Sequence, residues 1–164
     1  MAPSGITGAR PSLGHEARRW RLPHAPQAAG IARRLALDTL NAWGVREDEA
    51  HQVVLAVSEL VTNAVEHGLP PVALQLVPPD EQQMIHVAVT DGGPANERGA
   101  RTADCEPDEH GRGSVIIDFL AAARGTRMYR GSATHWADLP LAAQPVGGAS
   151  PTRAGSGQSH QGVA

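Results

Sequence analysis

Residues 50–68 read AHQVVLAVSELVTNAVEHG, and this stretch decides the fold. Val53, Val57, Leu60/Val61 and Ala64 recur at the helical period and make one apolar face. Glu59, Asn63 and His67 recur every four residues on a neighbouring face, so a single helix carries both a core stripe and a polar row. Gly68 is expected to stop the helix in a left-handed conformation, and Pro70-Pro71 forbid continuation. The polar row then points at whatever lies above the end of that helix.

Working outward, residues 46–49 (REDE) place acids at the start of this helix, where the positive end of its dipole favours them. Before it, residues 27–43 form a second amphipathic helix through Ile31, Leu35, Leu37/Thr39, Leu40 and Trp43, closed by Gly44. Residues 18–22 (RRWRL) alternate Arg with Trp20 and Leu22, as a half-buried edge strand does. After the helix, residues 72–77 and 84–90 are apolar runs around the polar turn PPDEQQ, which predicts a β-hairpin. From Asp91-Gly92-Gly93-Pro94 to His110 the chain is polar and without period, and an aperiodic loop of that length inside a domain is usually functional. Residues 114–123 predict an apolar helix with Ser114 as its cap and Gly125 as its end. A last hairpin follows, residues 126–129 and 134–139 around the turn 130–133.

Composition bounds the function. At 164 residues, 41% hydrophobic and 19% charged, the chain has material for one core. The expected organisation is a disordered segment over 1–15, one domain over 16–140 and a disordered tail over 141–164, both ends being rich in Pro, Gly, Ser and Ala. A net charge of -3 and no basic run give no nucleic-acid footprint. No apolar run approaches the roughly 20 residues of a membrane span, and a cytoplasmic location is expected. Cys105 is alone, which excludes an internal disulfide and a cysteine-only metal cluster. All 14 basic residues are Arg, so phosphate chemistry here proceeds without a P-loop lysine and Schiff-base chemistry is excluded.

Strands that arrive as hairpins, with helices not interleaved one for one, predict an α+β fold: a mixed, mostly antiparallel sheet covered on one face by about three helices. Several residues suit one ligand chemistry. Asn63 offers a neutral oxygen of the kind Mg²⁺ accepts beside water and phosphate. Glu59, one turn earlier, could hold a metal-bound water or orient an attacking hydroxyl. Asp91 at a strand end could accept an exocyclic amine, and Gly93 lets backbone approach a base. Gly111 and Gly113 at a helix start offer free amides to phosphate, with Arg112 adding charge. Taken singly, each has a plainer role: Asn63 facing water, Glu59 solvated, His67 at a helix dipole, Asp-Gly-Gly as a turn. Their joint occurrence on one helix face, one strand end and one loop-to-helix junction is what argues for a nucleotide.

These segments resemble a known superfamily. Residues 59–68 (ELVTNAVEHG) look like the N-box of the GHKL ATPases, residues 89–93 (VTDGG) like the G1 box, and residues 111–117 (GRGSVII) like the glycine box beside the ATP lid. The three occur in the family's order, and size and opening helices are most similar to the bacterial anti-sigma-factor serine/threonine kinases. The resemblance implies a Bergerat-type α/β sandwich with a mobile lid, and Mg-ATP as ligand. It implies that Glu59 is the catalytic carboxylate, that Asn63 holds the metal, that Asp91, Gly93, Gly111, Arg112 and Gly113 bind nucleotide, and that Thr134 backs the adenine pocket. Partners implied are a sigma factor and an anti-anti-sigma protein of STAS type, in a homodimer. Ala95 stands where a second lid glycine is expected, and Ser114 where Leu is usual after Gly-x-Gly. A silent ATP-binding module acting by contact, and a histidine-kinase-like catalytic domain acting in trans, are the alternatives; no phosphoacceptor hairpin precedes the domain, which weighs against the latter.

Overall fold

The structure, a computed structural model, describes residues 15–95 and 112–142, with side chains from Val115 onward in the second segment. The expected Gly111, Cys105 and the loop 96–111 lie outside the described residues, as do residues 1–14 and 143–164. The elements run β1 (Arg18–Leu22), α1 (Ala28–Ala42), α2 (Glu47–His67), β2 (Val72–Val77), β3 (Met84–Asp91), α3 (Arg112–Leu120), β4 (Ala123–Tyr129) and β5 (Ser132–Pro140).

The five strands form one sheet in the order β1-β2-β3-β5-β4, and every pairing is antiparallel. The expected parallel component is thus absent from the described strands: each neighbouring pair but β3–β5 and β1–β2 is a direct hairpin, and those two close antiparallel as well. Period-2 alternation sorts the residues between faces. Val72, Leu74 and Leu76 of β2, Ile85, Val87 and Val89 of β3, and Ala137 and Leu139 of β5 are buried with the helices in one core. The helices form a single layer, α1 on α2 beside β1, α2 across β3, and α3 against α2 and β5. Ala28, Ala32, Ala36 and Leu40 are fully buried at four-residue spacing, and the small side chains let α1 lie close against α2. The other sheet face carries no described element.

Several boundaries differ from the sequence expectation. Helix α3 runs Arg112–Leu120, so Ser114 lies inside its first turn instead of capping it. The chain leaves the helix where the Ala122 amide donates to Asp138 O, and β4 begins at Ala123. Gly125 is therefore a strand residue, not a helix stop; a Cβ there would meet the Trp136 ring at 2.9 Å. The last hairpin turns through Arg130 (φ 38) and Gly131 (φ 82), a tight two-residue turn with both φ angles positive. Gly44 (φ 72) closes α1 in the left-handed conformation, as expected.

Glu47, Asp48 and Glu49 occupy the first turn of α2. Glu49 is also buried, and its Oε1 accepts the Ala142 amide at 2.6 Å, fastening the chain after β5 to the helix start. A charged acceptor of this kind contributes about 1.5–3 kcal/mol. Glu49→Ala is expected to lose that amount in urea unfolding, and an unchanged midpoint would show that the tie carries no stability.

Candidate functional site

The C-terminal end of α2 and the end of β3 are laced together. The Leu69 amide donates to Gly93 O at 2.8 Å, the Gly92 amide to Leu69 O at 2.6 Å, and the Ala95 amide to His67 O at 3.0 Å. His24 Nε2 lies 2.8 Å from Gly68 O, and Gly68 bridges Pro94. Each of these holds backbone to backbone or ring to backbone, so side chains on either element are placed by the scaffold.

Asp91 closes β3 on the helix-facing side and is 3% exposed. Its Oδ1 accepts the Gly93 amide at 2.7 Å, a short-range turn that fixes the carboxylate, and Gly93 itself holds φ +93. His135 Nε2 lies 3.4 Å from Asp91 Oδ2, and His135 Nδ1 lies 3.0 Å from Thr126 Oγ1. Gly68 is not left-handed as expected: it is extended, at φ -100 and ψ 164. The requirement for glycine is one of space, since a Cβ at this position would lie 2.5 Å from Asp91 Cγ and 2.6 Å from Oδ2. The helix end and the buried carboxylate are in contact because no side chain separates them.

Asn63 and Glu59 are part-buried, and neither has a hydrogen-bond or ion-pair partner among the described residues. The wheel places them on one flank. Ser58, which receives Arg33 Nη1 from α1 at 3.0 Å, marks the flank that α1 covers, and Asn63 lies roughly 140° round from it. Along the axis Asn63 stands roughly 7.5 Å and Glu59 roughly 13.5 Å from Gly68. A buried carboxylate, an amide and a second carboxylate thus follow one another from the strand end along the helix, an order that suits a base, a phosphate-bound cation and an acceptor group. The first turn of α3, which holds the backbone of Arg112 and Gly113, belongs to a helix packed against α2. The His67 ring is exposed beside Glu66, at 3.8 Å, and only its carbonyl, which accepts the Ala95 amide, belongs to the lacing.

Thr134 is not brought to this site. Its Oγ1 bonds Thr90 Oγ1 at 2.8 Å on the open face of the sheet, because Asp91 pairs with Ala133 and the helix-facing parity of β5 therefore falls on Ala133, His135 and Ala137. His135 is the residue of β5 that reaches Asp91, and sequence reasoning missed it. The alternation of buried Ala133, Ala137 and Leu139 was the signal that points inward at position 135.

Among the described residues no cluster of three His, Cys, Asp or Glu side chains is placed to hold a metal ion. A divalent cation here would draw most of its ligands from phosphate and water, as Mg²⁺ does, with Asn63 as the protein ligand. No described helix is long and apolar enough to cross a membrane.

The chain compares with known proteins as this geometry suggests. Residues 22–127 match the family model of the histidine kinase-like ATPase domain. No curated protein matches by sequence. Among solved structures, the chain is similar to the RsbU and RsbW domains of Rv1364c from Mycobacterium tuberculosis, with 18% identity and TM-score 0.59, over 77% of this chain and 32% of that one. It is also similar to the histidine kinase domain of a blue-light activated histidine kinase from Erythrobacter litoralis, with 23% identity and TM-score 0.45, over 69% of this chain and 60% of that one. The chain thus spans about a third of the first relative and less than two thirds of the second. The all-antiparallel sheet with its single helical layer is the Bergerat arrangement, and the chain belongs to the histidine kinase-like ATPase domain family of the GHKL superfamily.

Proposed function

We propose that the chain binds Mg-ATP and transfers the γ-phosphoryl group to a serine or threonine of an anti-anti-sigma protein of STAS type, and in its other state holds a sigma factor, acting as a homodimer. The observation that carries this reading is the polar flank of α2, Glu59 and Asn63 in sequence, fixed by backbone ties above the buried Asp91. A carboxylate one turn from a metal-suited amide is the pair that phosphoryl transfer uses for positioning and proton acceptance, and it serves no ion pair among the described residues.

Each residue then has a distinct task. Asp91, held by the Gly93 amide and packed directly on Gly68, accepts the exocyclic amine of adenine, and Gly93 lets the ring approach backbone. Asn63 would hold Mg²⁺, which when bound neutralises charge on the phosphate chain. The phosphates are assigned to Gly111, Arg112 and Gly113, as the resemblance of residues 111–117 to the family's glycine box implies. Glu59 orients the acceptor hydroxyl and takes its proton as the new oxygen–phosphorus bond forms and the bond to the leaving diphosphate breaks.

The deciding experiment incubates the purified chain with labelled ATP and candidate antagonist proteins and asks whether a serine or threonine becomes labelled. Tight ATP binding with no labelled product in any pairing would mean a module acting by contact alone; label on a histidine would mean a histidine kinase in trans. A second test addresses the metal. Asn63→Ala is expected to lose at least about tenfold in Mg-dependent ATP affinity, about 1.4 kcal/mol, while Mg-free binding is unchanged. Calorimetry giving the same Mg dependence as the parent chain would remove Asn63 from the metal's shell.

A further inference from the structure

The face of the sheet turned away from the helices carries a cavity of about 310 Å³. It lies behind the same strand end that bears Asp91, since Thr90 and Asp91 are neighbours and point to opposite faces. Arg19 and Arg21 of β1, Ala73, Thr90, Gly92 and Ser132 line it. The cavity is the size of a small-ligand pocket.

Its charged side chains on this face are both cations. Arg19 and Arg21 alternate on one strand, roughly 7 Å apart on the same face, and neither has an ion-pair or hydrogen-bond partner among the described residues. Arg46 and Arg124, by contrast, are paired with Asp48 and Asp118. Thr90 and Thr134 share one hydrogen bond at 2.8 Å in which either hydroxyl can donate, so the Thr90 hydroxyl hydrogen is open to the cavity when Thr134 is the donor. Ser132 spends its own hydrogen on Tyr129 O. The one carboxylate at the cavity, Asp91, is turned to the other side of the sheet, on the Gly93 amide and against Gly68. Two guanidinium forks with no facing acid select a ligand made of acceptors, and between them they offer enough N–H groups to engage all three terminal oxygens of a phosphomonoester, where a single fork already saturates a carboxylate.

We infer that this open-face cavity is a second binding site, separate from the Asp91 side, and that it takes a phosphate group, free or carried by a small molecule, on Arg19 and Arg21. The inference does not depend on the nucleotide reading, because the two sets of residues lie on opposite faces of the sheet.

The test is an NMR titration of the full chain, following backbone amides and Arg Nε signals with inorganic phosphate, glycerol 3-phosphate and acetate, each against sodium chloride at matched ionic strength. Saturable shifts at Arg19, Arg21, Thr90 and Ser132 are expected with the phosphorylated probes. Tighter binding of glycerol 3-phosphate than of phosphate identifies a small phosphomonoester as the source, and equal binding identifies the free ion. Arg19→Gln and Arg21→Gln should each weaken the phosphate titration at least tenfold, and Arg21→Lys, which keeps the charge and loses the fork, should weaken it less. Arg34→Gln, on α1, should not change it. The site is refuted if chloride reproduces the shifts, if acetate binds as tightly as the phosphates, or if Arg19→Gln/Arg21→Gln leaves the titration intact. Failure of ATP binding on the other face would leave all of these outcomes unaltered.

Discussion

Gly68→Ala is expected to lower ATP affinity by at least about a hundredfold, or about 2.7 kcal/mol, in a chain that still folds. The new methyl carbon would stand 2.5 Å from Asp91 Cγ, 2.6 Å from Oδ2 and 2.7 Å from Ala64 O. Something has to give, and the surroundings leave little choice. The backbone on both sides is tied by the Leu69–Gly93, Gly92–Leu69 and Ala95–His67 hydrogen bonds, so the displaced group is the Asp91 carboxylate. A site that relies on a positioned acceptor for a polar group of its ligand loses far more than packing when that acceptor is moved, since the amine is then buried unpaired. Gly30 supplies the control: a Cβ there would meet only Arg33 Nη2 at 3.6 Å, and Gly30→Ala inside α1 should stabilise the chain by about 0.5–1 kcal/mol without touching affinity. Calorimetric titration of both variants, alongside circular dichroism, decides the matter. Parent-like ATP affinity in folded Gly68→Ala would mean that Asp91 does not read the base.

The second large effect belongs to Glu59. Glu59→Gln keeps the volume and the helix propensity of the side chain and removes its capacity to accept a proton, so phosphotransfer to the protein acceptor should drop by about 10²- to 10⁴-fold. ATP affinity should stay within about threefold, because Glu59 stands farther along α2 from Gly68 than Asn63 does. Single-turnover transfer of labelled phosphate, measured beside an ATP titration, separates the two quantities. A matched loss of rate and affinity would place Glu59 with the metal instead, and an unchanged rate would take it out of the chemistry.

Much of this arrangement was legible before any coordinates. The spans of β1 and β2 agree with alternation alone, because Trp20 and Leu22, and Val72, Leu74 and Leu76, mark a half-buried strand with no helical reading available. The polar row on α2 followed from the same periodicity. What sequence could not supply was register. Thr134 and His135 are adjacent, and only the pairing of Asp91 with Ala133 decides which of them faces the helices; a shift by one residue exchanges their faces. Glycine was ambiguous for a related reason. Gly68 and Gly125 read as helix stops by local rules, yet one makes room for a carboxylate from β3 and the other for the Trp136 ring, both contacts between residues distant in the chain. The run Ala121-Ala122-Ala123 continued a helical pattern that ends because Ala122 finds its acceptor in β5.

The outer strands of the sheet have a consequence for how the protein behaves in quantity. β1 bears Arg18, Arg19 and Arg21, and β4 bears Arg124 and Arg127, so both borders of the five-strand array are charged where an incoming chain would need to add its own backbone. Such borders resist growth by strand addition. Copies of this chain that meet in solution are thereby steered away from rim-to-rim polymerisation.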